Sequence, residues 1–372
     1  MPAVKMSYRT LLLAAVAALV AGPASASPVT FTGGTSSDWS NPANWSGGVV
    51  PSSSTEVAIT TGKTAKLATS SPPPQAQDLT GAGTGTVDLN AKNLTLSGTN
   101  TSPASFGGII TNTGTGGNKN LIYGSTGTNG KQTLTGQITN KVNIVVNGGT
   151  LKITNPNNSY AGGTTVNGGT LTVDGKAGTA TGIVIVNGGG TLNGNGTLAG
   201  TVSNNGFISP GDGIGKLMIG GNYAQAQSTG DGELDIGILS PTTYSSLAVT
   251  GSVQVGGILD LVFYGSVAGN NTFNIITAAA GYDAGFLFDT VAINGNIDAC
   301  TVQGDPADYS SVVTYDCAGP GISTGTEIYA SIIGNTLAFE VVGDIIGVPE
   351  PAALAILASG LLGLAGARRR RA

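Results

Sequence analysis

Val146-Asn147-Gly148-Gly149-Thr150-Leu151 recurs as Val166-Asn167-Gly168-Gly169-Thr170-Leu171. It recurs again as Val186-Asn187-Gly188-Gly189, where one extra glycine, Gly190, precedes Thr191-Leu192. The asparagines stand at 147, 167 and 187, a spacing of twenty residues, which is the mark of a solenoid or β-helix. After each glycine pair the chain alternates, as Thr150-Leu151-Lys152-Ile153-Thr154 and as Thr170-Leu171-Thr172-Val173-Asp174. Aliphatics fall on one face and threonine or charge on the other, the pattern of a half-buried strand. Asn-Gly-Gly supplies the positive-φ positions of the corner between strands. One such rung buries too little apolar surface to offset the entropy of ordering it, so rungs must stack, about 4.8 Å apart. Equivalent residues then form ladders. Asn147, Asn167 and Asn187 predict a polar ladder, and Thr150, Thr170 and Thr191 a threonine ladder. Leu171 is expected inside, between Leu151 and Leu192, and Thr172 outside.

Weaker rungs are read at Asn93 to Gly98 and at Gln132 to Gly136. Ser70 to Gln77, with Pro72, Pro73 and Pro74 in a row, is expected to form a loop, because proline cannot donate to a ladder. The expected fold is all-β: a right-handed parallel β-helix or β-solenoid with a β-rich closing region. The expected organisation is a signal peptide over 1–26, an N-terminal β segment with its Pro-rich loop over 27–75 and solenoid repeats over 76–225. An acidic β-rich closing region over 226–347 and a C-terminal tail over 348–372 follow.

The 372 residues include 61 glycines and no histidine, and only 9% are charged. The missing histidine excludes Ser-His-Asp and Cys-His catalysis and His metal sites. Lys5 and Arg9, the apolar run from Leu11 to Val20 and the small-x-small triplet Ala24-Ser25-Ala26 follow the order of a secretory signal, with cleavage expected after Ala26. At the other end Pro349-Glu350-Pro351 leads into an apolar run from Ala352 to Ala367 and then Arg368, Arg369, Arg370 and Arg371. That order predicts a short transmembrane helix held by its arginines on the cytoplasmic side. Residues 27–347 contain no arginine. Nine lysines against nineteen acids leave them a net charge of −10, with every lysine between Lys63 and Lys216. No basic stripe exists to hold phosphate, so nucleic acid is not an expected partner.

Chemistry-bearing motifs are sparse. Gly321-Ile322-Ser323-Thr324-Gly325 has the spacing of a nucleophile elbow, but without histidine the serine lacks its base. Gly194-Asn195-Gly196 and Gly81-Ala82-Gly83 lack the strand–helix setting of a dinucleotide loop. Cys300 and Cys317 are the only cysteines and are expected to pair in an exported protein; two free thiols or a two-thiolate metal site are the alternatives. Asp298, Asp305, Asp308 and Asp316 form one acidic group and Asp231-Gly232-Glu233-Leu234-Asp235 another. Neither has an EF-hand or RTX spacing, so both are read as solvated acidic faces. No catalytic, cofactor or metal residue is expected.

Two family resemblances add to this reading. The box Pro349, Glu350, Pro351 with its apolar span and arginines resembles the PEP-CTERM sorting signal of bacteria. That resemblance implies an exosortase, a membrane cysteine transpeptidase, as partner, and makes Glu350 and the arginines recognition elements. Ser159-Tyr160-Ala161-Gly162-Gly163-Thr164-Thr165 running into Val166 to Leu171 resembles the autotransporter-associated β-strand repeat. Ile208 to Gly215, Leu247 to Gly251 with Gly256 to Leu259, and Asp38-Trp39-Ser40 with Asn44 to Gly48 resemble further parts of such passengers. In place of the family's barrel stands the sorting tail, so exosortase sorting is expected instead of autotransport. The function expected is a non-enzymatic, exported structural or adhesive protein of the surface or extracellular matrix. It would be anchored in the inner membrane before processing, with extracellular polysaccharide a candidate partner. The alternatives are a polysaccharide-binding or glycan-cleaving β-helix and an ice-binding threonine face.

Overall fold

The computed structural model describes residues 27–67, 73–100, 102–124, 129–226, 232–283, 288–303, 312–319 and 321–345. The signal with Ala24 and Ala26, and the tail with Pro349, Glu350, Pro351 and Arg368 to Arg371, lie outside the described residues.

The alternation in the repeats becomes strands, and the glycine pairs become corners. The coil that begins at Thr164–Val166 continues through Gly169–Val173 to Lys176–Ala177. The next runs through Val184–Val186, Gly190–Gly194 and Thr197–Leu198. Each strand pairs in parallel with its equivalent one coil later. Three ladders result. Sheet 1 has nine strands, from Gln75–Ala76 to Val253–Gln254. Sheet 2 runs from Ala104–Phe106 to Thr290–Ile293, and sheet 3 begins at Lys176–Ala177. This is the strand order of a β-solenoid. Parallel pairing begins at Val29–Phe31 with Glu56–Ile59 and crosses both the 75/76 and the 225/226 boundaries.

The corner explains the glycines. Gly149 and Gly169 hold φ of 68° and 66°. A Cβ on Gly169 would lie 2.4 Å from the Gly149 carbonyl oxygen of the coil below. Positive φ and stacked backbone therefore both require glycine here. In the third repeat the extra residue is absorbed in the turn, and Gly190 takes the register position of Gly169.

Inside, Leu151, Leu171 and Leu192 stack in register and are fully buried. Ala104 and Gln132 precede them in the same column. The Gln132 amide accepts from Leu79 N at 2.8 Å and donates to Leu79 O at 2.9 Å, standing in for a strand's backbone. The expected loop at Ser70 to Gln77 is corrected at its end: Gln75–Ala76 pairs with Thr95 and Leu96. The Pro74 carbonyl also accepts from Thr95 N. Proline lacks a donor but keeps its acceptor, and at the edge of a parallel ladder an acceptor is enough.

Both ends of the coil are closed. At the start Trp39 packs edge-on against Trp45, and Trp45 edge-on against Phe31. The buried Asn44 amide ties the turn together: its oxygen accepts from Thr35 N, Thr35 Oγ1 and Ser36 N, and its nitrogen donates to Ser36 Oγ and Asp38 O. At the far end sheet 3 turns antiparallel through Asn271–Ala278, Thr336–Val342, Ile322–Ile333, Val313–Gly319 and Cys300–Gln303. Phe273, Phe288, Tyr315 and Phe339 fill this cap.

Candidate functional site

The outward column of sheet 2 decides what chemistry the described residues present. Lys131, Thr150, Thr170, Thr191, Phe207, Glu233 and Ile258 follow one another in register. The threonine ladder is therefore three coils long, closed by a lysine on one side and by the exposed Phe207 on the other. The parallel column carries Lys152, Thr172 and Asn193, so no flat two-column threonine face exists there. Thr172 is only 8% exposed, which corrects the expectation of an open position. Sheet alternation points it outward, but Lys152 and Asn193 flank it in the ladder, and Lys152 is tied down by an ion pair to Asp174 at 2.5 Å.

Further along, Gly232-Glu233-Leu234-Asp235-Ile236 and Gly257-Ile258-Leu259-Asp260-Leu261 occupy neighbouring coils. The leucines point in and the acids point out, so Asp235 and Asp260 stand side by side. One oxygen from each of Glu233, Asp235 and Asp260 lies within 4.8 Å of the others. A shallow hollow beside them is bordered by Phe207, Glu233, Ile258 and the corner glycines Gly188 and Gly189. The Gly295 N–H donates to Asp260 Oδ1 at 3.1 Å. Asp235 Oδ1 is buried without a hydrogen-bond partner.

Burial pushes Asp235 up to about 8, with the charges of Glu233 and Asp260 adding to it. Burial also raises Asp260 to about 6, against the Gly295 N–H and helped by Glu233. Glu233 is raised by the same loss of water. Of the three, Asp235 keeps its proton near neutral pH. A hard divalent cation is the species such oxygens could hold, and three carboxylates would leave water to complete its shell. The sequence reading paired Glu233 with Asp235 but missed Asp260, one coil away. The signal was the repeated phrase Gly-x-Leu-Asp-aliphatic.

The remaining candidates are dispersed. Asp298 and Asp316 are separate exposed positions, while Asp231, Asp305 and Asp308 lie outside the described residues. Ser323 sits on a strand of the antiparallel cap, not at a strand–helix elbow, and its Oγ accepts from Asp344 N. Cys300 and Cys317 face each other across an antiparallel pair and are joined by a disulfide. Among the described residues no helix is long and apolar enough to cross a membrane.

The asparagine ladder lies on sheet 1. Asn167 Nδ2 donates to Asn147 Oδ1 at 2.9 Å, and Asn187 Nδ2 to Asn167 Oδ1 at 2.7 Å. These three asparagines fall in or beside the stretch that carries the family signature. Residues 146–173 match the passenger-associated-transport-repeat. Residues 347–371 match the PEP-CTERM protein-sorting motif. The chain is thus an exported, envelope-sorted protein with a repeating β structure, and the PEP-CTERM motif is a sorting signal recognised by an exosortase. No curated protein matches the sequence.

Proposed function

We propose that this protein is a non-catalytic structural or adhesive component of the cell surface or extracellular matrix. We further propose that it is delivered through a cleaved signal over 1–26, held in the inner membrane by its apolar C-terminal span, and released by exosortase processing at the PEP-CTERM box. Extracellular polysaccharide is its proposed partner outside the cell. The observation that carries this reading is the join of a sorting motif at 347–371 to a stack of parallel β coils. Coils wound in the right-handed sense that parallel crossovers favour make a stiff rod closed at both ends, suited to spacing and adhesion.

The acidic group on sheet 2 is the one feature that favours a glycan-cleaving reading. Its setting argues against it. Glycosidases need a pair of carboxylates flanking the bond that is cut, whereas only Glu233 of these three borders the hollow beside them. Residues 27–347 also lack the arginine or histidine that would neutralise a uronate. Intact-mass measurement of the protein from the envelope fraction tests the sorting. The expected chain begins at Ser27 and has lost the tail that follows the Pro-Glu-Pro box. A chain still ending at Ala372 overturns processing and leaves a plain tail anchor.

A further inference from the structure

Sheet 1 presents an outward face unlike the rest of the molecule. Its buried columns are mainly aliphatic, with Tyr123, Thr164, Tyr223, Asn204 and Gln225 among them, and the positions alternating with them point to solvent. The central outward column starts at Gln75 and Thr95, passes Ile122, Val145, Thr165 and Ile185, and ends in Ser203, Ala224 and Gln254. On one side of it stand Asn93, Asn120 and Asn143, and on the other Asn147, Asn167 and Asn187. No outward position on any of the nine strands carries an ionisable side chain. Lys92 and Lys141 stop at the corner that leads into the sheet, and Lys119, half-buried at the first position of its strand, stands in the inward register opposite Val142. By contrast, the outward face of sheet 2 holds Lys131, Lys152, Glu233, Asp235 and Asp260.

At about 4.8 Å per strand the uncharged face is roughly 38 Å long. Its amides are held in fixed orientations. Asn143 Nδ2 donates to Asn120 Oδ1 at 2.8 Å, and Asn143 Oδ1 accepts from Gly163 N at 3.0 Å. Asn93 Oδ1 accepts from Asn120 N, and Asn222 Oδ1 from Ser252 N. An asparagine amide has two N–H donors and two oxygen lone pairs. In the ladder Asn167 spends one of each on its neighbours. One donor and one acceptor per asparagine remain to meet a ligand, already oriented.

Resting on the proposed polysaccharide partner, we infer that the outward face of sheet 1 is the surface that binds it, and that the ligand is an extended, uncharged polysaccharide laid along the asparagine ladders. Sugar hydroxyls both donate and accept, so they can pair with the spare N–H and the spare lone pair of each amide. The half-buried Ile122, Val145 and Ile185 offer small apolar patches to the C–H faces of the rings. Rigid amides also lose little side-chain entropy on binding. A second copy of the chain fits this face less well. Threonine, serine and glutamine break its aliphatic column, and packing it against another sheet would leave spare amide N–H groups unpaired. An acidic glycan would meet cations only along one edge, at Lys92, Lys119 and Lys141, and none on the central column or beside Asn147, Asn167 and Asn187.

The test is co-sedimentation of the full chain, in mild detergent, with insoluble cellulose, curdlan and mannan, and retention on immobilised polygalacturonate. Two variants accompany it: Thr165→Lys at the centre of the sheet 1 face, and Thr191→Lys on sheet 2. Circular dichroism establishes that both are folded. The expected result is retention on at least one uncharged glycan, unchanged in about 0.5 M salt, where surface charges are screened. Thr165→Lys should weaken it at least tenfold, and Thr191→Lys less than twofold. Equal losses in the two variants, or loss with Thr191→Lys alone, overturn the assignment to sheet 1 while the polysaccharide partner stands. Retention on polygalacturonate alone overturns the uncharged ligand. A dimer that Thr165→Lys abolishes, without glycan retention, makes a second copy the occupant. Absence of retention on all four glycans overturns both the face and the polysaccharide partner.

Discussion

Replacing Asp78 by asparagine should make the protein less sensitive to alkaline pH. Asp78 is fully buried, and it pairs in register with Glu56 on the preceding coil. Neither of its oxygens has a hydrogen bond of good geometry, and the Tyr123 hydroxyl that stands beside it is equally unsatisfied. Burial lifts its pKa from 3.8 to about 7; the nearby Tyr123 hydroxyl offsets this in part, and the Glu56 charge adds to it. The folded state therefore keeps a proton that the unfolded chain releases. Stability from this group is complete below about pH 4, falls as pH rises toward 7, and is level above that. At about 1.4 kcal/mol per pKa unit, the full loss is about 4 kcal/mol. About 1.5 kcal/mol of it has already gone at pH 5. The amide that replaces the carboxyl cannot ionise. Relative to wild type, Asp78→Asn should thus gain about 2.5 kcal/mol between about pH 5 and pH 8. Guanidinium midpoints followed by far-UV circular dichroism at the two pH values give this difference, and any constant effect of the amide cancels. A gap between the proteins that does not change with pH would refute the reasoning, and with it the buried, uncompensated carboxyl.

Leu171→Asp should cost at least about 4 kcal/mol, since it places an unpaired carboxylate inside the coil. Thr172→Asp, beside Lys152, should cost about 1 kcal/mol, and denaturant midpoints separate the two. Replacing both Cys300 and Cys317 by serine opens a crosslink spanning 17 residues and should lower stability by about 3 kcal/mol. The wild type treated with a reductant should show the same shift in thermal melting. Asn44→Ala removes the amide that joins Thr35, Ser36 and Asp38. It should loosen the N-terminal cap by about 2 kcal/mol, seen as tryptophan fluorescence shifting red at lower denaturant than the circular dichroism signal.

The chemistry of the site was only partly legible in the sequence. Glu233 and Asp235 are close in the chain, and strand alternation alone puts them on one face. Asp260 joins them because one coil of the solenoid happens to span the distance from Asp235 to Asp260, and that length is set by the loops between strands. Thr172 shows the same limit. Alternation gave its direction, yet between its ladder neighbours Lys152 and Asn193 it is 8% exposed. The run Pro72 to Pro74 misled because the absence of a donor was read as the absence of pairing.

The coil was already written in the linear chain. A twenty-residue spacing, alternating aliphatics and Asn-Gly-Gly corners leave a stacked parallel arrangement as the way to bury those side chains and satisfy the backbone between them. The C-terminal sorting motif was legible for a different reason: it is a linear motif, read without folding. Which residues share a face was settled only by folding. Register between coils, not nearness in the chain, brings Ile122, Val145 and Ile185 into one line and keeps every charge off the outward positions of sheet 1. Pairing in the parallel ladders is a long-range property: partners lie from 16 residues apart, as Thr191 and Phe207, to 32, as Ile258 and Thr290, and small changes in loop length move a side chain from one neighbour to the next.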